Sequence, residues 1–371
     1  MNIVQVTNRK TMKEFVHFPQ VLYKNDPFWV PPMWHEEKKA YDGKTNVMLQ
    51  NNEYILLLVY DQGKLLGRSL VYIDKDFNHY YDATIGFFGA FECVDNHEAS
   101  RLLFSTSIQW LKKRGMSAIR GPIHPIAESW GFLYRGYDSL PVLMASYNPP
   151  YYHTLMEKCG FEKIKDLLAY EADLNSGYTI PLRIERFTKQ FMDRHSEFSL
   201  RKIDIKNLMR DATYIWQITN ASLSDNWGYV PVEESVMKDM VKRLKIILNE
   251  DAIWFVQDKG VPVGFALGFP DPNAIIKEIG GKLLPTGFIT LLNKRKSIRR
   301  YRLFALGVLN KYHGMGLDVL LYKQLHDALA EQKVLIEANY ILEDNYNIRN
   351  ALEKLEMKCT KEYRIYEKRI T

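Results

Sequence analysis

Val59-Tyr60-Asp61-Gln62-Gly63-Lys64-Leu65-Leu66-Gly67 returns as Val256-Gln257-Asp258-Lys259-Gly260-Val261-Pro262-Val263-Gly264, 197 positions later. Both read as two apolar strands joined by a tight Gly turn. Working outward, Trp29-Val30-Pro31 answers to Tyr229-Val230-Pro231 at an offset of 200, and Asn148 answers to Asn345 at 197. Tyr170-Glu171 answers to Tyr366-Glu367 at 196. Chance matches would scatter, so the near-constant offset indicates duplication of a whole domain. Chemistry retained by one copy alone then becomes a guide to the active site.

Composition bounds the rest. A chain of 371 residues accommodates two domains, each large enough for its own core. Net charge of +6 suits an anionic ligand but is too weak to argue for nucleic acid. Cys93, Cys159 and Cys359 have no metal spacing and leave an odd thiol, which implies a reducing compartment, with Cys159 and Cys359 as packing residues. No apolar run reaches the length of a transmembrane helix and the first ten residues lack a signal-like core. A cytoplasmic protein with no stable membrane insertion is expected.

The first copy reads as helix 11–23, strands 54–60, 65–73 and 84–91, helix 97–114, strand 118–121, helix 151–159 and strand 167–174. Asn175–Pro181 is the expected linker, giving domains 1–175 and 182–371. The second copy repeats the order with strand 200–205, helix 207–220, hairpin 253–269, strand 302–308, helix 314–331, strand 334–342, helix 348–355 and strand 363–368. The apolar stretch Ala274–Leu292 has no counterpart in the first copy. It reads as a helical pair packed on the sheet, or as a lid lining an acyl channel. The basic run Lys294–Arg302 behind it is a solvated face, a holder for a phosphate, or a contact for an anionic membrane surface.

At the strand-to-helix junction of the second copy stands Lys311-Tyr312-His313-Gly314-Met315-Gly316. Glycines spaced G-x-G permit a tight turn and leave backbone N–H groups at a helix N-terminus, an arrangement suited to a pyrophosphate. The first copy has Cys93-Val94-Asp95-Asn96-His97-Glu98 there, with no glycine and two acids that would repel a phosphate.

This element order and loop resemble the GNAT N-acetyltransferase superfamily, whose loop reads [RQ]-x-x-G-x-[GA]; Lys311 departs at the first position. A later family motif resembles Asn345 through Met357, retaining Asn345 and Lys354 but with Leu352 where the general-acid Tyr stands. Asp26–Pro32, Gly86–Glu92, Tyr147–Tyr152 and Asn226–Pro231 resemble a bacterial tandem-GNAT family. The resemblance implies an α/β (α+β) fold of two GNAT-like domains, each a mixed, mostly antiparallel sheet flanked by helices. It also implies an N-acyltransferase using acetyl-CoA or another acyl-CoA, without a metal, acting on a small-molecule amine or a peptide. Backbone groups of Leu306 and Val308 would pair with the pantetheine arm. Lys311, Tyr312, His313, Gly314, Met315 and Gly316 would hold the pyrophosphate, and Asn345 would complete the cofactor site. The acceptor would lie between the domains.

Amine acylation needs a neutral nucleophile, and an ordinary amine is mostly protonated at neutral pH, so a base is required. Alternation on the strand 334–342 puts Glu337, Asn339, Ile341 and, just beyond, Glu343 on one face. Glu337 is the first candidate base and Glu343 the second, against the plainer role of a carboxylate paired with Lys or Arg. His124 and Glu128, in a loop with Trp130, are candidate acceptor-binding groups, or else stitch the domains together. Asn220 and Trp227 belong to the same class, with core packing the plainer role for Trp227. Two rivals stay open: a tandem scaffold that binds a ligand without catalysis, and a transferase for amino acids or long acyl chains.

Overall fold

The computed structural model describes all residues except Ile126, Ala127, Glu128, Asp225 and Thr371. It divides into two compact units. The first comprises residues 1–167, 273–293 and 361–371, and the second comprises 168–272 and 294–360.

The first unit starts with β1 (Asn2–Gln5) and α1 (Arg9–Leu22), whose N-terminus is closed by a reciprocal Asn8–Thr11 capping box. Short helices α2 (Trp34–Ala40) and α3 (Val47–Gln50) lead into the hairpin β2 (Glu53–Asp61) and β3 (Lys64–Ile73). Gln62 and Gly63 both have positive φ, as the right-handed twist of the hairpin demands. Then come α4 (Lys75–Tyr80), β4 (Ile85–Cys93), α5 (His97–Lys112), β5 (Ala118–Gly121), β6 (Phe132–Arg135), α6 (Tyr152–Lys158) and β7 (Glu162–Asp173). Sheet order is β1-β2-β3-β4-β5, antiparallel except for β4 and β5. Its core gathers Leu57, Val59, Phe88, Phe91, Leu103, Phe104, Ile119 and Tyr152.

The second unit repeats this plan with α7 (Leu182–Arg194), β8 (Phe198–Lys202), α8 (Leu208–Ser222), α9 (Glu234–Leu244), β9 (Ile253–Asp258) and β10 (Val261–Pro270). Helices α10 (Asn273–Glu278) and α11 (Gly287–Lys294) interrupt the repeat. It resumes with β11 (Arg300–Val308), α12 (Leu317–Ala330), β12 (Leu335–Leu342), α13 (Tyr346–Lys354) and β13 (Lys358–Arg369). Its sheet runs β7-β12-β11-β10-β9-β8, over a core including Val256, Ala266, Leu321, Leu325, Ile336 and Leu352.

The closing strands do not stay with their own copies. Tyr366–Arg369 of β13 pairs antiparallel with β5, and Leu174, after β7, donates its N–H to Val334 in the second unit. The insertion also folds with the first unit. Trp34 Nε1 donates to Gly280 O at 2.9 Å and Asn273 Nδ2 to Pro141 O at 2.8 Å. A helical pair was expected on the sheet; it packs instead against the Pro-rich segment before α2. Cys93 and Cys159 are buried, whereas Cys359 is exposed and is not a packing residue.

Candidate functional site

In the second unit β11 and β12 pair in parallel from Arg300↔Leu335 to Leu303↔Ala338 and no further, although each strand runs on for several residues. A bulge at Leu267/Gly268 in the β10–β11 ladder bends the strand at that point. Beyond it Leu309 donates its N–H to Val263 O at 2.9 Å. Peptide groups alternate along an antiparallel strand, so those of Leu306 and Val308 face the splayed side, away from β10. An extended polar chain such as a pantetheine arm can pair with that edge.

Helix α12 starts beside the end of this edge. Gly314 and Gly316 have φ of 80° and 84°, a region in which a side chain is strained. Gly316 is the N-cap and offers no side-chain acceptor, so the first-turn N–H groups lack a protein cap and the positive helix end is open to an anion. A Cβ on Gly316 would lie 2.4 Å from Phe187 Cζ, whereas one on Gly314 would meet open space. Lys311 is exposed, with Nζ 4.5 Å from the Tyr312 ring centre. Tyr312 is buried; its hydroxyl donates to Asp258 Oδ2 at 2.6 Å and its N–H to Leu309 O at 2.9 Å, while the N–H groups of His313 and Met315 donate to Asn310 O and Tyr312 O, so these three amides are engaged within the loop. His313 Nε2 lies 2.8 Å from Val308 O.

The first unit has the same splay, since β4 and β5 pair only from Ile85↔Ala118 to Phe87↔Arg120. Here the protein fills it. By register with β3 and β10, Cys93 corresponds to Val308. Cys93 N donates to Tyr152 Oη at 2.9 Å, and Tyr151 Oη donates to Cys93 O at 2.8 Å. Ile123 N donates to Phe88 O at 2.9 Å, bringing the segment after β5 back against β4. Asn96 caps α5 through Ala99 N at 3.0 Å. Edge and helix terminus of the first unit are thus both engaged internally.

Beyond the splay, Asn226, Trp227, Leu342, Asp344, Asn345, Tyr346 and Asn347 line a cavity of about 290 Å³. Trp227 and Asn345, candidates far apart in sequence, are brought together there. Asn345 also caps α13, accepting from Ile348 N at 3.2 Å. Glu343 is half-buried in the turn after β12, and its carbonyl oxygen accepts from Arg349 Nη1 at 2.6 Å.

Other expected residues have different work. Glu337 is fully buried, with Arg300 Nη2 2.5 Å from Oε2 and Asn339 Nδ2 3.0 Å from Oε1. Asp271 and Glu171 also approach Arg300, at 4.0 and 3.6 Å. Both oxygens of Glu337 are engaged and none is open to an amine, which corrects its placement as first candidate base to that of an ion-pair carboxylate. Asn220 is a loop staple: Oδ1 accepts from Val232 N at 3.0 Å and from the Tyr229 hydroxyl, while Nδ2 donates to Val232 O at 3.1 Å. Its amide is consumed and not free for an acceptor. Leu352 is fully buried in the core.

His124 lies with its Nε2 3.1 Å from Tyr41 Oη in a polar cluster of the first unit. Burial, then the charge of Arg68, lowers its pKa to about 3, so the ring is neutral. Glu92 in the same cluster accepts from Tyr23 and Tyr152, both at 2.7 Å, and burial raises its pKa despite Arg68. Sequence reasoning missed this cluster, although Arg68 and Glu92 inside apolar strands were the available signal. Glu128 lies outside the described residues. Among the described residues, no group of three or more His, Cys, Asp or Glu could hold a metal ion, and no helix is long and apolar enough to cross a membrane.

No protein-family model matches the chain. It is 29% identical to Protein YghO of Escherichia coli, over 98% of this chain and 94% of that one. It is also 29% identical to a bacterial ceramide synthase of Caulobacter vibrioides, over 99% of this chain and 97% of that one. Among solved structures it superposes on a tandem GNAT protein from the clavulanic acid biosynthesis pathway, with a TM-score of 0.58 and 10% identity over 100% and 98% of the two chains. The chain therefore has the tandem form of the GNAT N-acetyltransferase fold over its whole length.

Proposed function

We propose that the protein is an N-acyltransferase that moves a long acyl chain from a coenzyme A thioester to the amine of a lipid-like acceptor. The observation that carries this reading is near end-to-end similarity to a bacterial ceramide synthase, on a chain whose second unit keeps an open splay and Gly loop. Ceramides are amides of long-chain amino alcohols, so the similarity favours both that acceptor class and a long acyl chain.

Each part of the site has a task. The Gly314 and Gly316 amides and the open end of α12 bind the pyrophosphate, and the outward edge at Leu306 and Val308 orders the pantetheine arm. The acceptor amine loses its proton, attacks the thioester carbonyl, and the tetrahedral intermediate collapses with loss of the thiolate, which is then protonated. Glu343, at the mouth of the splay, takes the amine proton directly or through water. Trp227 walls the acceptor side. With Leu352 in the core, no Tyr at that position protonates the leaving thiolate; its low basicity lets it depart as the anion, which takes up a proton from solvent afterwards.

The test is product analysis with purified protein, acetyl-CoA and palmitoyl-CoA as donors, and sphinganine and small polyamines as acceptors. Long-chain amide formed with equimolar free coenzyme A is the expected result. Acetylation of small amines alone would return the enzyme to ordinary acetyl transfer. Thioester binding without turnover would make it a ligand-binding scaffold, the reading that buried Leu352 favours.

A further inference from the structure

At the closed end of the β11–β12 splay one buried oxygen is left without a donor. The last pair of that ladder is Leu303↔Ala338, so Asn339 is the first residue of β12 beyond it. Asn339 is 2% exposed, yet its Oδ1 accepts no hydrogen bond. Buried carbonyl oxygens in native folds nearly always have a donor, and an exception needs a reason.

The other half of the amide fixes its orientation. Nδ2 donates at 3.0 Å to Glu337 Oε1, and Arg300 Nη2, 2.5 Å from Oε2, marks that group as a carboxylate, which only accepts. The nitrogen must therefore face Glu337, two residues back toward the paired end of the strand, and the oxygen must face away from it. Beyond Asn339 the strands open. Phe304 and Leu306 of β11 and Tyr340 and Leu342 of β12 are half-buried, whereas Leu303 and Ala338 on the near side are buried. The orphaned oxygen thus stands at the inner end of the open stretch. The bond to Glu337 polarises the amide and strengthens that oxygen as an acceptor.

We infer that Asn339 Oδ1 receives an N–H of the acceptor amine and holds its nitrogen at the thioester; this rests on the acyl-transfer reading and adds a residue to it. An amide oxygen has lone pairs and no proton to give, so its partner is an N–H or O–H donor, and the thioester group has neither. A neutral primary amine has two N–H groups. One proton leaves as the N–C bond forms and the C–S bond breaks; the other stays on nitrogen in the amide product. Asn339 holds the one that stays, so a single hydrogen bond persists from amine to amide and aims the nitrogen lone pair at the carbonyl. A secondary amine keeps no N–H once its proton has left. Glu337 and Arg300, which do not reach the amine, act through Asn339 as positioning residues.

The test uses palmitoyl-CoA as donor and compares sphinganine, N-methylsphinganine and octadecylamine as acceptors for wild type and Asn339→Leu. Wild type should favour sphinganine over N-methylsphinganine in kcat/KM by roughly tenfold to hundredfold, the worth of a bond whose loss leaves a buried acceptor unpaired. Asn339→Leu should lose that factor on sphinganine and little on N-methylsphinganine, so the preference collapses while calorimetric affinity for palmitoyl-CoA is unchanged. Octadecylamine, which has no hydroxyl, should suffer the same loss as sphinganine. Leu withdraws a hydrogen bond from Glu337, so urea unfolding checks the fold; the wild-type comparison of the two sphinganines decides even if the variant does not fold. Equal use of both by wild type would overturn the assignment. So would an unchanged preference in Asn339→Leu, or a loss on sphinganine that octadecylamine escapes, which would give the oxygen to a hydroxyl. If wild type forms no amide with any acceptor, the acyl-transfer reading falls and this role falls with it.

Discussion

His313 Nε2 reaches back 2.8 Å to the carbonyl oxygen of Val308, closing the turn between β11 and α12 through a side chain. The oxygen it occupies lies on the splayed edge, where a pantetheine arm would seek partners. A ligand pairing with this carbonyl must displace the ring. His313→Ala should therefore raise acyl-CoA affinity by about threefold to tenfold, the worth of one displaced hydrogen bond. Calorimetry measures it directly; weaker binding by the variant would make His313 a ligand rather than a competitor.

The two loop glycines should separate by substitution. Gly314 has positive φ but open space, so Gly314→Ala should cost about 1 kcal/mol of stability and little affinity. Gly314→Asp puts a negative charge where the pyrophosphate is expected and should weaken binding on the order of tenfold. Gly316→Ala drives a methyl into Phe187 and should damage both properties. Calorimetry paired with urea unfolding distinguishes these outcomes, and unchanged binding by Gly314→Asp would move the cofactor elsewhere.

Glu337 and Glu343 should fail in different ways. Glu337→Ala removes the shortest ion pair of Arg300 but leaves Glu171 and Asp271 beside it, and should cost about 1–3 kcal/mol of stability. Glu343→Gln should reduce turnover roughly 10²–10⁴-fold if that carboxylate is the base. Chemical denaturation and single-turnover kinetics of the two variants give the comparison. A fully stable Glu337→Ala protein with lost turnover would restore Glu337 to the chemistry.

These differences mark where sequence stops being legible. The hairpins, the strand order and the Gly loop were readable because they depend on residues within one turn or one alternation. Helix α7 carries a local signal of the same kind, with Ile184, Thr188 and Phe191 at helical spacing. The exchange of closing strands was not readable. Tyr363–Lys368 has the pattern of a strand wherever it pairs, and no local signal names β5 as its neighbour. The same holds for the site. Asp95 and Glu98 argued against a phosphate in the first copy, but Tyr151 and Tyr152 occupying that edge is a tertiary fact set nearly 60 residues away. Alternation placed Glu337 on the expected face without revealing that Arg300 waits there, because the β11–β12 register decides it.

His124 provides the last prediction. Its ordinary pKa is 6.5, and burial, reinforced by Arg68, brings it to about 3 in the folded protein. The unfolded chain therefore binds a proton that the folded chain refuses. A histidine lowered in this way contributes full stability above about pH 6.5 and loses it as pH falls toward the folded value. Wild type should thus weaken between about pH 7 and pH 4 by one proton more than a variant without the imidazole. His124→Phe keeps the ring-on-ring packing with Tyr41, which has centroids 5.6 Å apart, and removes the titrating group. Urea midpoints across that pH range, compared between the two proteins, isolate the contribution from the carboxylates they share. Parallel curves would mean that His124 protonates within the native fold, and the ring would then be open enough to meet a ligand.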